Sequence, residues 1–390
     1  MTATAVSTGA RAARDSTAVA PEQHYPFLDL IRFSAALLVL FGHARGLLLE
    51  GIGNVQSPNP PVRAFYLLTG LQHEGVVLFF VVSGFLIGGS AWRMMQQGRF
   101  DLRIYFINRF TRIYLVFIPA LILVLALETL VRPHLLDTRF YGVRPLLPAG
   151  IFDGWTWDQI PCHLLAVQGL ICTPWGANLP VWSLGYEWAF YMIAPALFAL
   201  ALMPMRHRAV KALMVTVGLA ALTWWRWDWL FWFLVWMLGV FAAHRFETRP
   251  APILVGTLGL AVCGGGLIVS RLAIFPPYAT DLVVALGMAA AVACRPLMSV
   301  TGAVSLIRRG AGFSYSLYLI HLPLCVLIGA LYQRFLGWPA ELVQPDWQGI
   351  AGFAGMVLAV LACARLFARI TEDHTASLRR RLVARFGCRI

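Results

Sequence analysis

Arg32 and His43 interrupt an otherwise apolar run, RFSAALLVLFGHA. Eleven steps of about 100° return a helix to within about 20° of its start, so the two share one face, roughly 16 Å apart. Ala36 and Val39 lie between them on that face and are small enough to leave room for a ligand, while Asp29, one turn before Arg32, is placed to pair with it. An imidazole exchanges protons near neutral pH, and a guanidinium holds phosphate or carboxylate with charge-assisted bonds. Snorkelling of Arg32 to one interface and His43 to the other would account for either residue alone. Ionisable groups inside a membrane helix cost about 2.5–3.5 kcal/mol each near its centre, however, so convergence of several favours chemistry.

Other apolar runs carry polar stripes of their own. FFVVSGF places Ser83 in the second run, and the segment RFTR after it places Arg109 and Arg112 one turn apart. In WSLGYEWAFY, Ser183, Glu187 and Tyr191 recur at helical spacing, and in FSYSLYLIHLPLC so do Ser314, Tyr318, His321 and Cys325. Ser, Tyr and His also serve as hydrogen-bonding glue between membrane helices, which is the competing explanation for Ser83 and Tyr318 taken singly. Together the stripes predict a polar chamber shared by four helices.

The elements that must position them follow from composition. Hydrophobic residues make up 59% of the 390 and charged residues 13%, with a mean hydropathy of +0.72; soluble chains are nearer a quarter charged. Apolar runs long enough to cross about 30 Å of hydrocarbon predict an all-α polytopic membrane protein of about ten spans. They fall near 27–47, 75–95, 113–131, 181–203, 210–226, 228–243, 252–270, 279–294, 311–332 and 349–368. Residues 1–26 read as a disordered cytoplasmic tail and not a signal peptide, 27–368 as the membrane domain, and 369–390 as a basic cytoplasmic tail. The formal charge of +13 is spread through short loops, with most Lys and Arg on the side of the N-terminus. That pattern is positive-inside asymmetry with both termini cytoplasmic, and not a nucleic-acid groove. Cys162 and Cys172 share the long outside loop, residues 132–180, where they are either bonded or two free thiols. No internal repeat stands out, and the nine histidines form no metal-ligand spacing, so no metal is expected.

The ordered set of motifs resembles the acyltransferase-3 family of integral membrane acyltransferases, which includes O-antigen and Nod-factor acetylases and related exopolysaccharide O-acetylases. Arg32 and His43 match its R-x10-H pattern, FFVVSGF its FFxxSGF and Arg109 with Arg112 its RxxR; WSLGYE and YSLYLIH are also similar, and the likeness runs from Phe27 to about Phe367. Many members carry LDGxRG near the start, where LDLIRF here has Leu30 and Phe33 at the two glycines. The resemblance implies a multi-pass enzyme of a bacterial cytoplasmic membrane moving an acyl group, most often acetyl, from acetyl-CoA or another acyl-CoA to a hydroxyl of a carbohydrate. Arg109 and Arg112 would hold the donor's phosphates, with Ser83 and Tyr318 counted among donor-binding residues. His43 is the expected base, with Arg32, Glu187 and His321 beside it, His321 being the alternative base, and an acyl-histidine relay remains open beside direct attack. Two other classes fit a basic face and polar stripes: a flippase or transporter of lipid-linked glycans, and an acyltransferase with a small-molecule acceptor. The aromatic segments GWTWDQIPCHLL and WWRWDWLFW could stack on sugar rings.

Overall fold

The computed structural model describes residues 25–142, 156–298 and 304–386, so the expected tail before Tyr25 lies outside the described residues. Among the described residues nine helices dominate: α1 Pro26–Leu48, α2 Gln72–Gln96, α3 Leu102–Ala126, α4 Trp182–Leu202, α5 Arg208–Thr248, α6 Ile253–Leu272, α7 Pro277–Val292, α8 Ser314–Leu336 and α9 Trp347–Ile370. Among the described residues there is no strand, only the isolated bridges Leu49 to Val343 and Gln168 to Cys172. An all-α polytopic membrane protein is therefore what the chain forms, and helices satisfy their own backbone groups where lipid offers no partner. Among the described residues, eight stretches are long and apolar enough to cross a membrane; the expected span at 279–294 corresponds to the shorter apolar helix Pro277–Val292, and the expected spans at 210–226 and 228–243 both fall on α5. The expected division between them does not end a helix.

Local chemistry sets the ends. Pro26 opens α1, where a missing N–H costs nothing. The Asp101 side chain accepts from the amides of Arg103 and Ile104 to start α3, and Asp346 accepts from Gly349 to start α9. Gly337, with φ of 67°, closes α8 in the left-handed conformation. Residues Thr375–Phe386 of the expected tail form a further helix, which packs against α3.

Packing sets relative directions. α1 and α2 run antiparallel, with Gly75 so close to Ala35 that a Cβ there would sit 2.9 Å from the Ala35 carbonyl oxygen and 3.0 Å from Val39 Cγ2. The face of Val39 is thus filled by α2 and is not open room. α1 and α8 run parallel, since Phe33 lies against Phe313, ring centroids 6.0 Å apart, and His43 lies against His321. Within FFVVSGF the helix widens into a π turn over Gly84–Gly88, a distortion that recurs at functional sites. That turn seats on α5, where a methyl on Gly84 would run into the Trp236 carbonyl oxygen. Small residues let membrane helices approach this closely. Because the obstacle is backbone, Gly84→Ala should destabilise the protein by about 1–3 kcal/mol, read as a lower melting temperature in detergent; an unchanged melting point would contradict this packing.

Candidate active site

The four polar stripes meet in pairs across helix boundaries. Ser83 of α2 is 3.0 Å from the Tyr191 hydroxyl of α4 and also accepts from Trp236 Nε1 of α5 at 3.2 Å. Ser183 of α4 is 2.6 Å from the Tyr318 hydroxyl of α8, which itself donates to the Pro180 carbonyl at 2.8 Å. His43 of α1 and His321 of α8 touch, Nδ1 to Nε2, at 3.1 Å. Ser83 and Tyr318 are thus bonded within the protein, as the glue explanation has it, while Tyr318 also fixes His321 through its carbonyl.

The histidine pair has determinable protonation. His321 Nδ1 is 2.7 Å from the Tyr318 carbonyl oxygen, and His43 Nδ1 is 2.9 Å from that of Val39. A carbonyl oxygen only accepts, so each neutral ring carries its proton on Nδ1. His321 Nε2 is then a lone pair facing the His43 Nδ1–H, and that hydrogen is shared between Val39 and His321. His43 Nε2 remains as the unprotonated nitrogen. His321 is 1% exposed and His43 half-buried, so the pair sits inside the bundle at one depth. α8 begins alongside Phe33 and reaches His321 where α1 reaches His43.

One end of the bundle is basic. Arg32 lies 3.6 Å from Asp29, the expected pairing, and within electrostatic reach of Arg112, Glu372 and Glu187. Glu187 accepts from the Tyr191 hydroxyl and is also within reach of Tyr315 and Tyr318, which places it between the basic end and the histidines. Arg109 lies 5.8 Å from the Tyr105 ring and 5.9 Å from that of Tyr191, and its buried Nε has no hydrogen-bond partner. Arg112 has a partner: it donates to Glu372 at 3.0 Å and lies 5.3 Å from the Tyr315 ring. Glu372 in turn accepts from the amide and hydroxyl of Ser316, both at 2.9 Å.

Glu372, Tyr315 and Trp236 were missed by sequence reasoning. Glu372 had a signal, an acid in RITEDH directly after the last apolar run on the basic side; Trp236 had none, being one indole among many. Of the two alternatives for Cys162 and Cys172, the disulfide is the one formed. Part of GWTWDQIPCHLL lies outside the described residues, and its Trp157 is exposed. No group of three or more His, Cys, Asp or Glu suited to a metal occurs among the described residues.

The acyltransferase-3 family model, described as an acyltransferase domain, matches residues 25–369. An uncharacterized protein of Haemophilus influenzae is 31% identical over 141 residues, 35% of this chain and 53% of that protein, so the match spans about half of the relative's length. No solved structure matches. With nearly the whole helical bundle inside the family match, the chain belongs to the acyltransferase-3 family and is a multi-pass membrane protein.

Proposed function

We propose that this protein carries an acyl group, acetyl foremost, from acyl-CoA on its basic face to a hydroxyl of a cell-surface or exported glycan met from the opposite face. The basic face is cytoplasmic in this reading, by the positive-inside rule, and the membrane is a bacterial cytoplasmic membrane. The observation that carries the proposal is the His43–His321 contact, in which two backbone carbonyls and a second imidazole hold His43 with Nε2 ready to accept a proton.

The acceptor hydroxyl oxygen attacks the thioester carbonyl carbon while its proton passes to His43 Nε2. The C–S bond then breaks, and the departing thiolate takes the proton from His43 Nε2 to leave as CoA thiol. While His43 is doubly protonated, its Nδ1–H points at the Val39 carbonyl and the His321 lone pair, both of which favour the positive charge. His321 is accordingly a positioning residue for His43. Donor phosphates would meet Arg109 first, since its Nε has no acceptor of its own, whereas Arg112 is held by Glu372. Arg32, only loosely paired to Asp29, is the second cation available to the donor.

The test is thermal stabilisation of purified protein by acetyl-CoA, followed by transfer of radiolabelled acetyl to cell-surface glycan. Arg109→Ala should weaken acetyl-CoA by about 1.5–3 kcal/mol, the worth of a charged hydrogen bond, or about ten- to hundredfold. Absence of stabilisation in the wild type, or equal stabilisation in Arg109→Ala, would overturn the donor assignment.

A further inference from the structure

At the end of the bundle away from the arginines, a cap built from residues 156–181 and the π turn Leu127–Val131 meets α8 at Tyr318. Its Pro180 carbonyl is the acceptor for Tyr318, whose own carbonyl fixes His321. The cap contains an unusual concentration of buried polar atoms with no hydrogen-bond partner. Asn178, 2% exposed, leaves both side-chain Oδ1 and Nδ2 unpartnered. Glu128, 8% exposed, spends Oε1 on the Ala177 amide at 3.3 Å and leaves Oε2 unpartnered. His163 stacks on Trp175, ring centroids 4.1 Å apart, and its Nδ1–H donates to the Gln159 carbonyl at 3.0 Å, so the unpartnered Nε2 is a lone pair. Gln168 donates to the Val181 carbonyl at 3.1 Å and leaves Oε1 unpartnered. All four are tied to the single turn 175–181.

Buried polar atoms are ordinarily paired, and a group of such atoms left unpaired asks for a ligand that pairs them. Their character specifies which one. Four of the five atoms are acceptors and one is a carboxylate oxygen; burial pushes the His163 imidazole down from its ordinary value, which keeps its Nε2 an acceptor. On these four side chains a phosphate or carboxylate would meet chiefly lone pairs, and the nearby cation Arg132 already lies within electrostatic reach of the Glu128 carboxylate. A ligand rich in hydroxyl donors fits, and the Asn178 amide, with one donor and one acceptor in a plane, matches two adjacent hydroxyls.

We propose that Asn178, Glu128, His163 and Gln168 form the acceptor site, and that it takes a neutral carbohydrate bearing adjacent hydroxyls. The inference rests on the reading above that the acceptor is a glycan, and it adds which residues hold that glycan and that its recognised portion is uncharged. The placement also suits the transfer. A sugar held by the turn that contains Pro180 lies on the side of Tyr318, whose carbonyl fixes His321, the partner of His43.

The experiment uses the full chain in lipid nanodiscs on an array of neutral oligosaccharides (gluco-oligosaccharides and N-acetylglucosamine oligomers) and of uronic-acid oligosaccharides. The expected result is binding to at least one neutral class, weakened more than tenfold by Asn178→Ala and by Glu128→Ala. His43→Ala should retain that binding while losing transfer. Both cap variants should keep the Cys162–Cys172 bond, by mass spectrometry under non-reducing conditions, and their stabilisation by acetyl-CoA; should either fail this, Asn178→Asp and Glu128→Gln, which keep the shape, replace them and must still weaken binding at least threefold. Binding of only the uronic-acid class, binding unchanged in folded variants, or binding of nothing would overturn the proposal. Those outcomes are separable from failure of the donor reading, in which acetyl-CoA gives no stabilisation while the neutral sugars still bind.

Discussion

His43→Gln should leave acetyl-CoA binding unchanged and lower acyl transfer by about 10²–10⁴-fold, the usual contribution of a positioned general base. Glutamine fills similar space and can still donate to the Val39 carbonyl, so the packing of α1 on α8 survives. What it lacks is a basic nitrogen at the Nε2 position, the one nitrogen of the pair that neither a backbone carbonyl nor the partner ring engages. His321→Gln removes less. Its side-chain oxygen can stand near the His321 Nε2 position and accept from His43 Nδ1–H, so the expected loss is about tenfold, the low side of what positioning a base supplies. The comparison that decides is the pH–rate profile: the acid limb should disappear with His43→Gln and persist with His321→Gln. Near wild-type transfer by His43→Gln would end the base assignment, and the reverse pattern of limbs would move the role to His321.

The second large effect is structural. Glu372→Ala removes the carboxylate that holds Arg112 and caps the amide and hydroxyl of Ser316 at the start of α8. Glu372 has a side chain only 3% exposed, while that of Arg112 is 33% exposed. Breaking a buried pair by deleting one partner costs about 3–5 kcal/mol; because Arg112 keeps access to solvent, the lower end, about 3 kcal/mol, is expected. The readout is a fall in melting temperature larger than that of Gly84→Ala. Glu372→Gln, which keeps an oxygen for Ser316, should recover part of it. A neutral Glu372→Ala would mean that the Arg112 pair contributes little and that Arg112 is as available to the donor as Arg109.

These two cases differ in how much of them could be read along the chain. His43 and Arg32 stand out because lipid penalises ionisable groups, so their presence in an apolar run already marks them, and the Asp29–Arg32 pairing follows from one turn of helix. The span positions follow from the same solvent argument. The helix at 277–292 is shorter than a full span, and 210–226 runs on into 228–243 as one helix, because hydropathy averages over a window and does not see where a helix ends. Arg112 illustrates the opposite. Its sequence neighbourhood, RFTR, offers two arginines one turn apart, and nothing local says that Glu372, 260 residues away, already pairs with the second of them.

By itself, then, the sequence determined the solvent, the helical class, the faces on which polar residues align and the family to which the motifs belong, because each of these depends on composition or on a repeat of about 3.6 residues within one segment. Which stripe meets which was decided only by tertiary structure. Ser83 closes on Tyr191 and Trp236, Ser183 on Tyr318, and His43 on His321 across a separation of 278 residues. The physical reason is that a periodic face is satisfied by any complementary face, and the choice among them comes from close backbone approach, as at Gly75 against Ala35 and Gly84 against Trp236. The protonation of the histidine pair is decided at the same level, since it is set by how the two rings meet as well as by the carbonyl beneath each.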